Sequence, residues 1–221
     1  MAESLDLKPV LTFLTQLKKN NNRVWFEAHR PAYEVAKARF EALVEQLIAG
    51  MRPVEDLGDL QAKDCIMRIF RDIRFSKDKT PYKTSMGASI APGGKHASRL
   101  PYYLHLEPGG SIMAGGLYAP EKPQLDRLRA SLAQDAGPLK AIVNDRTFKR
   151  LFGPLRGEKL KVVPRGYPAD HPEIELLKLK QILAVHEFSD DEVLSARFPG
   201  QVLKAMVALK PLQDYLNFAV I

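Results

Sequence analysis

Two Pro-Gly-Gly triplets, Pro92-Gly93-Gly94 and Pro108-Gly109-Gly110, divide residues 84–119 into three short runs. Proline presets the second position of a tight turn and glycine accepts the positive φ that follows, so each triplet reverses the chain. The runs 84–91, 101–107 and 111–119 alternate in character, which is the strand period. Met86, Ala88, Ile90, Leu104 and Leu106 form one apolar face, and Ser85, Ser89, Tyr103, His105 and Glu107 form a more polar one. Reversals joining alternating runs make an antiparallel meander. Gly115-Gly116 inside the third run predicts a bulge or the close approach of another backbone.

Helical spacing brackets the meander. Val10, Leu11, Leu14 and Leu17 recur at helical intervals after the expected cap Asp6, and Lys18-Lys19 with Asn20-Asn21-Asn22 close that helix. Trp25 and Phe26 read as a plug onto the core. Pro31 opens a second helix, with Tyr33, Ala36, Phe40, Leu43, Val44, Leu47 and Ile48 as its stripe and Lys37, Arg39, Glu41 and Glu45 as a solvated face. After Pro120 the pattern predicts helices on Leu125–Leu132 and Leu139–Val143, a connector over 148–155 and an extended segment over 159–164. A helix from Pro172, a strand over 181–188 and a turn capped by Asp190-Asp191 follow. A terminal helix with Val202, Met206, Leu209, Leu212 and Leu216 is kinked or restarted at Pro211. Helices, then strands, then helices argue an α+β fold: an antiparallel meander of roughly four to five strands flanked by N- and C-terminal helices. The 221 residues contain no repeat and no linker, and read as one domain over 1–221. Within it 1–60 is helical, 61–120 forms the sheet, and 121–221 is helical with short strands.

Before the meander lies the chain's most concentrated charge. Between Arg68 and Lys83 stand six basic residues, Arg68, Arg71, Arg74, Lys77, Lys79 and Lys83, against Asp72 and Asp78, in a chain whose net charge is +7. Residues 65–75 also alternate. Met67, Ile69, Ile73 and Phe75, with Arg71, point one way, and Arg68, Phe70, Asp72 and Arg74 the other, which predicts a further strand. If that strand joins the meander, Arg68, Asp72 and Arg74 share a face with Tyr103 and His105. A strand that runs out into a charged loop is a common place for a binding site.

Composition narrows the function classes. No apolar run approaches the ~18 residues of a membrane span. Met1-Ala2-Glu3-Ser4-Leu5-Asp6 lacks the layout of a signal peptide. One cysteine, Cys65, excludes an internal disulfide and a cysteine zinc cluster, and its apolar setting predicts an inert buried thiol. A cytoplasmic location is the expectation. His29, His96, His105, His171 and His186 show no paired ligand spacing, so no metal is expected. The glycine pairs lack the spacing of a phosphate or dinucleotide loop, and no cofactor is expected. Ser76 and Ser85 sit in no nucleophile-elbow pattern.

Several segments together resemble the uncharacterised family called domain of unknown function 2461. They are Asn20-Asn21-Asn22-Arg23-x-Trp25-Phe26; Arg68-Ile69-Phe70-Arg71-Asp72-Ile73-Arg74-Phe75-Ser76-Lys77-Asp78-Lys79-Thr80-Pro81-Tyr82-Lys83; Tyr103-x-His105-x-Glu107-Pro108-Gly109; and Gly115-Gly116-Leu117-Tyr118-x-Pro120. Pro164-Arg165-Gly166-Tyr167, His171-Pro172, Leu176-Leu177-Lys178-Leu179-Lys180 and Pro211-Leu212 fit it too, so the likeness runs nearly end to end. The resemblance implies a conserved module and names no activity.

Three readings of the cluster stay open. Arg68, Asp72 and Arg74 can be a structural ion network holding the loop to the sheet. Arg68, Arg71, Asp72, Arg74, Lys77, Asp78, Lys79 and Lys83 can form a site for a phosphate-type anion, because guanidinium forks suit phosphate and lysines add point charges. On that reading Arg74→Ala weakens anion binding more than it lowers the melting temperature. An enzyme on a phosphorylated or carboxylated small molecule would use His105 (with Asp78 a lesser candidate) as general acid or base. Phe70, Phe75, Tyr82 and Tyr103 near the cations extend the partner class from anionic small molecules to nucleic acid. An anion-binding module is the leading expectation; the identity of the anion and the oligomeric state are not legible.

Overall fold

Helix α1 (Lys8–Lys19) buries Val10, Leu11, Phe13, Leu14 and Leu17 and packs on α3 (Arg30–Met51). The computed structural model describes residues 5–220; residues 1–4, which begin the segment Met1–Asp6, and residue 221 lie outside the described residues. The N-cap is Leu7, which makes no side-chain cap bond, so the expected cap Asp6 lies one residue early; its carboxylate accepts the Lys8 amide N–H at 2.9 Å as a local turn ahead of the helix. Between the two helices α2 (Arg23–Ala28) starts where the Asn22 side chain accepts the Trp25 amide. Phe26 is fully buried, and Trp25 packs 6.0 Å from Phe13 and stacks at 4.0 Å on His29. The aromatic pair plugs the helices together, as its sequence suggests.

The sheet is a four-stranded antiparallel meander in the order β1 (Met86–Ile90), β2 (Tyr102–Leu106), β3 (Ser111–Leu117) and β4 (Ile182–Phe188). Its register sets Met86 opposite Leu106, Ala88 opposite Leu104 and Leu104 opposite Met113, which puts the apolar set on one buried face. Helix α10 (Phe198–Val220) packs on β3 there and runs through Pro211 without a break. A Cβ on Gly115 would meet the Leu209 side chain. Gly116 has φ +117°, and a Cβ on it would overlap the Ile182 carbonyl oxygen. That is the close backbone approach its sequence position implies.

Around this core lie α4 (Ala62–Cys65), α5 (Lys122–Gln134), α6 (Gly137–Asn144), α7 (Arg146–Phe152), α8 (Ile174–Leu177) and α9 (Asp190–Leu194). Helix α7 replaces the connector expected over 148–155. The Asp145 carboxylate caps it by accepting the Thr147 and Phe148 amides, a start signal that outweighs the short apolar pattern. Residues 159–164 contribute only one bridge, Lys159 to Leu179. The architecture is α+β, with helices at both ends of the sheet and one buried core drawn from Leu7 to Val220. No helix among the described residues is long and apolar enough to cross a membrane. Cys65 is buried, and burial, helped by the nearby Asp64 and Glu45 charges, pushes its thiol up to about 12.

One expectation fails in a way that shapes the site. Residues 65–75 are not a strand of the sheet. Ile66 makes a single bridge to Ala88, the Met67 amide donates to the Gly87 carbonyl at 2.9 Å, and the pairing ends there. Beyond it Phe70 bridges to Tyr82, with Arg71 N–H donating to Pro81 and Lys83 N–H to Ile69, so 71–81 closes as a loop on itself. Side chains supply the bonds a ladder would have made. Asp72 accepts the Arg74 amide, and Asp78 accepts the Thr80 amide. Phe75, expected on the core side, is 95% exposed.

Candidate functional site

The loop consumes much of the basic cluster internally. Arg71 donates to Asp78, to Thr80 and, at 3.4 Å, to Ser76 Oγ. Asp78 is also held by the Thr80 amide at 2.9 Å and the Thr80 hydroxyl at 3.0 Å. The Thr80 amide, then Arg71, then the Thr80 hydroxyl lower its carboxyl to about 2. Arg74 lies across Asp72 through two bonds of 3.0 and 2.7 Å, which lower the Asp72 pKa, and its guanidinium sits 5.8 Å over the Phe75 ring. Lys79 Nζ donates to the Ile73 carbonyl at 2.9 Å. Lys77 is exposed and makes no ion pair among the described residues.

Arg68 and Lys83 are disposed differently. Both line a cavity of about 640 Å³ with Tyr33, Lys37 and Glu41 of α3, Lys63 of α4, the segment Ile66–Phe70, and Lys95 and His96 beyond β1. Lys37 pairs with Glu41 at 3.4 Å. For Lys63, Arg68, Lys83 and Lys95 no carboxylate lies within salt-bridge distance among the described residues. Lys83 is half-buried, and burial, followed by the Arg68 charge, holds its pKa below the usual lysine value.

Local sequence explains why these groups converge. The Glu45 carboxylate accepts the Ala62 amide at 2.7 Å, which docks α4 on α3 and turns Lys63 toward the cavity. Gly94, at φ +63°, lies where a Cβ would overlap the Asp64 carbonyl, so glycine lets the turn Gly94–His96 press on α4. Lys95 Nζ then reaches the Lys63 carbonyl at 3.3 Å. At the opposite end Tyr33 and Phe70 flank the buried Phe26 ring at 5.1 and 6.3 Å.

His105 stands outside this cavity's lining. It belongs to a chain on the other face of β2: Tyr103 hydroxyl to His105 Nδ1, 3.1 Å, and His105 Nε2 to Glu107, 3.2 Å. Glu107 also accepts from Thr84 at 3.0 Å and lies 3.7 Å from Lys18 Nζ. Burial opposes its ionisation, but the His105 and Thr84 bonds and the Lys18 charge outweigh that and leave its pKa lowered. An ionised carboxylate only accepts, so Nε2 carries a proton and a neutral His105 receives the Tyr103 hydroxyl at Nδ1. Among the described residues no cluster of His, Cys, Asp and Glu is arranged to hold a metal ion.

Of the residues picked out from sequence, the structure therefore brings Arg68 and Lys83 together in a cavity. It gathers Arg71, Asp72, Arg74, Asp78 and Lys79 into loop contacts and leaves His105 elsewhere. Sequence reasoning missed Lys63, Lys95 and His96, and assigned Lys37 and Glu41 only to a solvated face. Tyr33, Lys37 and Glu41 at i, i+4 and i+8 carry the one local signal, a shared stripe on α3.

A family model described as conserved hypothetical protein, domain of unknown function 2461, matches residues 9–215. The chain belongs to that family. No curated protein and no solved structure matches the chain. The matched span includes α3, α4, the 68–83 segment and the Gly94 turn, and so every residue of the cavity wall.

Proposed function

We propose that this protein binds a phosphate-type anion in the cavity walled by Arg68, Lys83, Lys63, Lys95 and His96. One observation carries the reading: Arg68 and a half-buried Lys83 line the same cavity, and among the described residues neither has a carboxylate within salt-bridge distance. A charge withdrawn from water beside a like charge is disfavoured, and a bound anion reverses that. Arg68 offers a planar fork of donors and Lys83 a compact point charge. The volume falls within the range of small-ligand sites. A reducing, cytoplasmic setting is part of this reading, supported by a lone buried thiol.

The test is calorimetric titration with inorganic pyrophosphate at low and moderate salt. Saturable binding is expected, lost in Arg68→Ala and Lys83→Ala and retained in Arg74→Ala, because Arg74 pairs with Asp72 outside the cavity. No binding, or equal binding by all three variants, refutes it.

A second reading rests on the Tyr103–His105–Glu107 chain, which has the form of a proton relay with a carboxylate orienting the imidazole. It makes this a small-molecule enzyme with His105 as general acid or base. A turnover screen on phosphorylated and carboxylated compounds, with His105→Gln as control, decides it; activity that survives His105→Gln excludes His105.

A further inference from the structure

The cavity is not uniform along its length. Helix α3 runs beside it from Tyr33 past Lys37 to Glu41, roughly 12 Å at the helical rise. The chain segment on the facing side runs the other way. Phe70 shares the Phe26 ring with Tyr33, whereas α4 is tied to Glu45, one turn beyond Glu41. One end is therefore aromatic, built from Tyr33 and a half-exposed Phe70. The other end is mainly cationic, built from Lys63 with Lys95 held to its carbonyl and His96 beside it, the Glu41 carboxylate at this end being paired with Lys37. Arg68 and Lys83 join the two ends, since the Lys83 amide bonds the Ile69 carbonyl between Arg68 and Phe70. Ile66, Met67 and Ile69 supply apolar wall.

Such a gradient matches a ligand with a flat ring at one end and several negative charges at the other. Resting on the anion-binding reading, we propose that the ligand is a nucleotide, its base against Phe70 and Tyr33 and its phosphates spread over Arg68, Lys83, Lys63 and Lys95. Bases stack on aromatic side chains whatever their identity, and phosphate chains are met by arginine and lysine donors. Inorganic phosphate leaves the aromatic end empty. An extended nucleoside di- or triphosphate spans both ends.

The experiment compares tripolyphosphate, ATP, GTP and adenosine on the full chain by calorimetry, with saturation-transfer NMR on the base protons. Phe70→Ala and Phe70→Leu are run in parallel, the leucine keeping apolar volume over Phe26 if the alanine variant folds poorly. Nucleotides are expected to bind at least tenfold more tightly than tripolyphosphate. Both Phe70 variants are expected to erase that advantage while leaving tripolyphosphate affinity within about twofold. Base protons should show transfer in wild type and lose it in the variants. Equal affinity of tripolyphosphate and nucleotides, or a nucleotide advantage that survives both substitutions, overturns the nucleotide assignment while the anion site stands. Failure of every phosphorylated compound, tripolyphosphate included, overturns the anion site itself. A short single-stranded oligonucleotide that binds far more tightly than any mononucleotide overturns the mononucleotide assignment, in favour of a nucleic-acid surface.

Discussion

Lys83 and Arg68 share the wall of one cavity, and the Arg68 charge adds to burial in holding the Lys83 ammonium below its ordinary pKa. An anion bound between them favours the protonated lysine, so binding takes up a proton once the free Lys83 has begun to lose its own. Affinity for pyrophosphate is then highest below the depressed Lys83 pKa and falls as pH rises through it, earlier than an ordinary lysine would dictate. Titrations across the alkaline range, in two buffers of different ionisation heat, read both the fall and the proton uptake. Lys83→Arg, which stays charged, is expected to flatten the profile. A profile identical in the variant assigns the pH dependence to another group.

The Asp78 carboxyl offers a separate titration. Its pKa is lowered to about 2 by the Thr80 amide, Arg71 and the Thr80 hydroxyl. A depressed carboxyl contributes its ordering above the ordinary aspartate value of about 3.9 and loses it as pH falls through the folded value. The Thr80 amide resonance is therefore expected to titrate with a midpoint near 2 in wild type and to move upward in Arg71→Ala. A midpoint already at the ordinary value shows that the loop bonds do not form in solution.

The same loop shows where sequence reading succeeded and where it stopped. Strands β1 to β3 were legible because alternation and Pro-Gly-Gly turns act locally, and β4 because its run is bounded and apolar. Residues 65–75 carried the same alternation, yet Asp72, Asp78 and Arg71 could satisfy the backbone and each other without a partner strand, and Phe75 was left in water. Arg68 and Lys83 stood in the candidate cluster. Their companions did not, since Lys63, Lys95 and His96 reach the cavity only through the docking of α4 on Glu45 and the Gly94 turn on Asp64. Those contacts are tertiary, and no spacing along the chain announces them.

Gly116 and Gly109 test the two reasons for glycine in this sheet. Both have positive φ, +117° and +73°, but a Cβ on Gly116 would overlap the Ile182 carbonyl, whereas nothing lies within 4 Å of one on Gly109. Gly109→Ala is expected to lower stability by about 1 kcal/mol, the strain of the left-handed conformation alone. Gly116→Ala must also push β3 from β4 and is expected to cost about 3 kcal/mol or more. Denaturant melts of the two variants give the comparison; equal losses would mean that β4 yields freely.

Arg129 is buried on α5 with no carboxylate in salt-bridge distance among the described residues, and its guanidinium instead donates to the Leu177 carbonyl at 2.8 Å and the Leu179 carbonyl at 3.3 Å. Those carbonyls lie where α8 ends, and they have left water. The arginine therefore acts as a cap supplied from another helix. Arg129→Met keeps the apolar stem but removes both donors, leaving two acceptors short of partners. Each buried unsatisfied group costs about 1–3 kcal/mol, so for the two acceptors a loss of roughly 2–6 kcal/mol is expected, with α8 amides exchanging faster than those of α5. Pyrophosphate affinity should not change, since Arg129 is not part of the cavity wall. A variant that keeps its melting temperature would show that water reaches the α8 carbonyls and that the arginine is dispensable there.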